Sequence, residues 1–151
     1  MKNVVVTGMG VISCIGSGLN EVISSLKNGK SGIKPNPTYK EMGFRSHVSG
    51  SIDINLSELI DRKVLRFMSE ASGFAYLAAQ EALINAGLDL SSIDTSRIGI
   101  IAGSGGASSA AQIEASDIAR AKGPKRIGPY AVTKTMGSTV SAILGTTLKL
   151  K

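Results

Sequence analysis

A few residues of this 151-residue chain are of types that do chemistry. Cys14 is its only cysteine and His47 its only histidine, so any thiol–imidazole pair has to be those two. Gly8-x-Gly10-x-x-Ser13 carries two of the three glycines of a dinucleotide-binding turn. Gly103-Ser104-Gly105-Gly106 has the composition of an anion cradle. Two cationic clusters also stand out in a chain of net charge +6: Arg62-Lys63 with Arg66, and Arg120, Lys122, Lys125 and Arg126.

Most of these thin out on inspection. A dinucleotide turn uses its third glycine for close helix packing and sets the pyrophosphate on a helix N-terminus. Here Ser13 takes that place, the next helix begins near Leu19, and no second strand ending in Asp or Glu follows. The stretch is therefore expected to be a structural turn. A phosphate-binding P-loop needs Gly-Lys-Ser/Thr where this chain has Ala107-Ser108-Ser109, so the second glycine run is expected to serve close backbone approach instead. Cys14 has no His or basic neighbour in sequence, and a small thiol in such a turn is a packing residue. One histidine does not make a metal site.

Val11-Ile12-Ser13-Cys14 resembles a lipoprotein processing site. The segment before it has one Lys, however, and its apolar run is broken by Thr7, Gly8 and Gly10. No stretch approaches the ~20 apolar residues of a membrane span. A single cysteine excludes an internal disulfide framework and fits a reducing compartment, so the expected location is cytoplasmic and membrane-free.

The sequence pI of about 9.6 suits an acidic protein, a nucleic acid or an anionic surface as partner. No aromatic residues interleave the clusters as base-stacking platforms would. A basic nucleic-acid-binding domain stays open as a rival reading, and a merely solvated helix face is the plainest one.

The elements that must position these residues follow from periodicity. Asn3 to Thr7 reads as a buried strand, and Arg97 to Ala102 as a second. Leu19, Val22, Ile23 and Leu26 mark a helix stopped at Asn28-Gly29. Residues 30–56 read as an irregular connection with one short hairpin. Apolar three- and four-residue steps predict one long helix over about 59–86, with further helices over 108–121 and 136–148. The pattern is α/β with parallel-type strands. Two strands cannot cover so many apolar helix faces, because sheets ordinarily carry about four to six. The chain is thus expected to be the N-terminal portion of a larger fold.

Taken together, "VVVTGMGVIS", "LKNGKSGI", "FRSHVSG", "LIDRKVLRFMSEAS", "EALINAGL", "RIGIIAGSGGAS" and "IGPYAVTKTMGSTVSA" resemble the β-ketoacyl-acyl carrier protein synthases. These are the condensing enzymes of bacterial fatty-acid synthesis, and "FRSHVSG" and "DRKVLRFMS" resemble the synthase I subgroup. The resemblance covers essentially all of residues 1–151. It implies a thiolase-like fold, five layers α-β-α-β-α in the complete enzyme, of which this chain is an incomplete N-terminal half.

The resemblance further implies a homodimer without cofactor or metal. The reaction would be a decarboxylating Claisen condensation between an acyl-enzyme and malonyl-acyl carrier protein. The nucleophilic cysteine and both catalytic histidines of the family fall beyond Lys151, so no catalytic residue is expected here and the chain alone should be inactive. A non-catalytic relative of the chain-length-factor type is the alternative. By the same resemblance Arg62, Lys63 and Arg66, with Lys122, Lys125 and Arg126, would contact an acidic acyl carrier protein rather than nucleic acid. Gly106 and Ala107 would lie at the acyl-pocket mouth, and Gln112 and Met136 would reach the acyl pocket across a dimer interface.

Overall fold

The structure, a computed structural model, describes residues 3–105 and 108–150. It begins with an extended segment that runs into a two-residue antiparallel hairpin, β1 (Ile12–Ser13) and β2 (Gly16–Ser17). Helix α1 (Leu19–Lys27) follows where the sequence predicts it and ends at Asn28. The connection holds β3 (Ile33–Pro35), a short α2 (Pro37–Glu41) and β4 (Val48–Gly50), which pairs antiparallel with β3. The single expected hairpin is therefore present.

The region expected to be one long helix is three: α3 (Leu56–Leu59), α4 (Arg62–Leu65) and α5 (Glu70–Asn85). Polar caps make the breaks. Asp61 sits at φ −52°, ψ 132° and its carboxylate accepts from the Lys63 amide at 2.7 Å. Ser69 and Ser72 cap one another reciprocally, with the Ser69 amide donating to Ser72 Oγ at 2.8 Å. Short polar side chains compete for backbone groups and restart a helix, an effect that apolar periodicity does not register. Further along lie α6 (Ser109–Lys122), α7 (Ala131–Thr135) and α8 (Thr139–Thr147). The last is shorter than the 136–148 expected, because Met136 is extended.

Neither buried strand forms. Val4, Val5 and Val6 are 97%, 73% and 81% exposed, and Ile101 is fully exposed. A strand is stable only when a neighbour takes its backbone hydrogen bonds. Among the described residues nothing pairs with these two segments.

The organising element is α5. Gly8 and Gly10 lie so close to it that a Cβ on either would collide with the carbonyl of Ala82 or Ala78 respectively. The alanine-rich second half of α5 is therefore matched by glycines in the facing segment. Glu81, projecting from this helix, accepts the Val11 amide at 2.9 Å on Oε2 and the Leu19 amide at 2.6 Å on Oε1. Asn85, one turn on, accepts the Met9 amide at 3.1 Å. At the other end of α5, Leu56 of α3 seats against Gly73, and α8 packs alongside.

The buried apolar side chains are few: Ile60, Met68, Val140 and Leu144. The accessible surface is 10997 Å², whereas a compact monomer of 15.6 kDa exposes about 7,300 Å². The excess, roughly 3,700 Å², is the size of an obligate interface. Two exposed carboxylates serve the loop after α5. Asp89 and Asp94 lie below the usual carboxylate range because the hydroxyl of Ser91 or Ser96, and then its amide, donates to them.

Replacing Glu81 with Met keeps its reach and removes both acceptors. In the intact protein that carries this chain, hydrogen exchange of the Val11 and Leu19 amides is expected to accelerate by roughly thirtyfold, matching ~2 kcal/mol for a hydrogen bond to a charged acceptor. Unchanged exchange would show that the carboxylate is not what holds this segment.

Candidate functional site

Cys14 is half-buried in the turn between β1 and β2. Its Sγ would lie 2.7 Å from a Cβ at Gly32 and 2.9 Å from one at Gly50, so two glycines make room for the thiol. His47 is exposed on the approach to β4, and no hydrogen bond links the two. A polar concavity of about 560 Å³ borders Cys14. Lys30 and Lys34 face Glu21 and Asp53 around it, a mixed set with no preference for one sign of charge. Among the described residues no group of three or more His, Cys, Asp or Glu could hold a metal. No described helix is long and apolar enough to cross a membrane. Cys14 therefore reads as a packing residue.

Among the described residues, a Cβ at Gly103 or Gly105 would meet nothing within 4 Å. Gly106 and Ala107 lie outside the described residues.

The two cationic clusters are a different matter. Arg62 and Lys63 occupy α4, oriented by the Asp61 cap, and Arg66 closes that turn. Lys122 ends α6, and Lys125 and Arg126 lie on a 3₁₀ turn (Pro124–Arg126) packed against it. All six side chains are exposed, and among the described residues no ion pair involves any of them. The helix ends suit the charge, since Arg120 and Lys122 stand in the last turn of α6, where cations offset the exposed carbonyls.

What joins the clusters is aromatic. The Arg66 guanidinium carbon lies 4.8 Å from the Phe67 ring centroid and 5.2 Å from that of Tyr130. The two rings meet edge to face, their centroids 4.9 Å apart and their planes at 80°. Tyr130 follows Arg126 by four residues, so this contact ties the segment bearing the second cluster to the one bearing the first. No aromatic interleaves the clusters in the way a base-stacking platform would, yet the fold supplies two beside them. Both are engaged by Arg66 rather than offered to a base.

Phe67 also lines an apolar cavity of about 380 Å³ between α7 and α8, shared with Met136, Thr139, Ala142 and Ile143. Thr139 is buried there, its hydroxyl donating to the Thr133 carbonyl. Met136, 50% exposed, is on this wall. Gln112, in the first turn of α6, is exposed and does not line the cavity. Sequence reasoning did not name Phe67 or Tyr130; their only signal was proximity in sequence to the basic residues.

With this geometry in hand, comparison with known proteins is direct. The family model described as "Beta-ketoacyl synthase, N-terminal domain" matches residues 1–151, and the chain belongs to that family. The 3-oxoacyl-[acyl-carrier-protein] synthase 1 of Haemophilus influenzae is 50% identical over all of this chain, which spans 37% of that protein. The structure of a β-ketoacyl synthase from Burkholderia phymatum superposes on the whole chain with a TM-score of 0.84 at 25% identity, over 38% of its own length. A type II polyketide ketosynthase in complex with its acyl-carrier protein matches with a TM-score of 0.73 at 22% identity, and supports the fold. The architecture is accordingly thiolase-like, the N-terminal domain of the β-ketoacyl synthase family. That explains the unpaired strand segments, since the chain accounts for little more than a third of its relatives.

Filling the apolar cavity tests its use. In the intact protein, Ala142→Trp is expected to weaken binding of a fluorescent medium-chain acyl probe, because the indole fills part of a cavity of about 380 Å³. Undiminished probe binding would remove the cavity as an acyl seat.

Proposed function

We propose that the protein carrying this chain is a β-ketoacyl-acyl carrier protein synthase of bacterial type II fatty-acid synthesis, and that residues 1–151 supply docking and acyl-seating surface rather than chemistry. The observation that carries this reading is the pair of unpaired basic clusters, held together at Arg66, beside an apolar cavity. An acidic acyl carrier protein meets the charge and its acyl chain meets the cavity. Nucleic acid would want open aromatic faces, and here Arg66 covers them.

In the reaction, a cysteine beyond this chain takes the acyl group from its carrier as a thioester. Malonyl-carrier then loses CO₂, the resulting carbanion attacks the acyl carbonyl, and the cysteine thiolate leaves. The product is a 3-oxoacyl-carrier two carbons longer. Developing oxyanion charge is met by backbone N–H groups and histidines that also lie beyond Lys151. The large uncovered surface supports assembly with the remaining fold and with a second copy as a homodimer. The single cysteine supports a cytoplasmic location.

Arg62, Lys63 and Arg66 would engage the carrier first through long-range attraction, with Lys122, Lys125 and Arg126 fixing its orientation. Reversing Arg62 and Lys63 together to Glu in the intact protein is expected to raise the Kd for acyl carrier protein by about tenfold or more at low salt, with the difference narrowing as salt is added. An unchanged Kd would refute carrier docking at this face. Residues 1–151 expressed alone are expected to show neither condensation nor decarboxylation of malonyl-carrier, and turnover by that fragment would overturn the assignment of chemistry elsewhere.

A further inference from the structure

The basic residues are not equivalent in the fold. Arg62, Lys63, Lys122, Lys125 and Arg126 have exposed side chains with no described partner, whereas Arg66 spans two rings from segments over sixty residues apart. The link between the clusters in this region runs through that contact. The Pro124–Arg126 turn packs against α6 and closes on its own backbone, Arg126 N–H to the Gly123 carbonyl at 3.1 Å and Ile127 N–H to the Pro124 carbonyl at 3.3 Å, but neither contact reaches the Arg62–Arg66 segment. Gly123 and Gly128 bracket the turn, both at φ 83°, a conformation that glycine adopts freely. Tyr130 is the first aromatic side chain after it, and its ring meets both the Phe67 ring and the Arg66 guanidinium.

We propose that Tyr130 is a positioning residue: set edge to face against Phe67 and in contact with Arg66, it locks the Lys122–Arg126 cluster in register with Arg62 and Lys63 so that the two bind as one bivalent surface. This rests on the carrier-docking reading above. Two binding patches held rigidly at the right spacing reinforce one another, because engagement of the first makes engagement of the second intramolecular. If the strut is cut, both clusters keep every charge but lose their mutual reinforcement. A guanidinium stacked on ring faces keeps its N–H edges for a carboxylate or phosphate, so Arg66 can hold the strut and touch the partner at once. The same Phe67 ring lines the apolar cavity, so the strut also fixes the wall of the slot beside the docking surface.

The test uses the intact protein and acyl carrier protein, with Tyr130→Leu, the conservative Tyr130→Phe, and the charge reversal Lys125→Glu/Arg126→Glu in each background. Tyr130→Leu is expected to raise the carrier Kd about tenfold, in keeping with the loss of a cation–ring contact and of bivalency. Tyr130→Phe, which keeps the ring, should restore wild-type affinity. The decisive readout is coupling: charge reversal at Lys125 and Arg126 should weaken binding strongly in wild type and by less than about twofold in Tyr130→Leu. An equal loss in both backgrounds, or a Tyr130→Phe variant as weak as Tyr130→Leu, would overturn the proposal.

Hydrogen exchange without carrier separates this from the function itself. Faster exchange of the 124–130 amides in Tyr130→Leu, with binding of carrier indifferent to every charge reversal, would uphold the strut and refute carrier docking. Unchanged exchange of those amides would overturn the strut whatever the carrier does.

Discussion

Two backbone amides eight residues apart, those of Val11 and Leu19, end on the two oxygens of one carboxylate, Glu81. That junction fixes the N-terminal segment, its hairpin and the first turn of α1 against α5 at once. It works because Gly8 and Gly10 let the chain come within a side chain's width of the alanines of α5. A carboxylate facing two amides in a half-buried place is a strong acceptor, worth more than a neutral contact. Other elements meet the far side and the ends of the same helix: α3 over Gly73, α8 alongside, and α4 just before it in the chain.

The chemistry-bearing features of the sequence divide sharply in this frame. Cys14 and the Gly8-x-Gly10 turn are the two most suggestive motifs, and both turn out to serve packing. The glycines meet alanines and the thiol fills room left by Gly32 and Gly50. The basic residues, by contrast, remain exposed, and among the described residues none of them forms an ion pair. Leaving cations unneutralised on two neighbouring segments costs some self-repulsion, and the arrangement makes sense where a partner of opposite charge supplies the compensation. An apolar cavity lies next to that charge.

Much of this was legible in the sequence and some was not, for identifiable physical reasons. Helices α1 and α6 appeared where their apolar spacing and stops put them, as did the β3–β4 hairpin. The family motifs carried the fold class. The breaks at Asp61 and Ser69 were not legible, because a three-residue cap can override a long apolar period. The two valine- and isoleucine-rich segments failed as strands, because strand character depends on neighbours that no local pattern supplies. The Arg66–Tyr130 contact joins residues 64 apart in sequence, so no reading of spacing could have found it.

If this chain presents a charged landing site, with the covalent chemistry elsewhere, amide hydrogen exchange of the intact protein with and without bound acyl carrier protein will show protection within residues 1–151 concentrated on 62–67 and 122–130. Protection confined to the polar concavity around Cys14, Lys30 and Lys34, with those two segments unaffected, would contradict it.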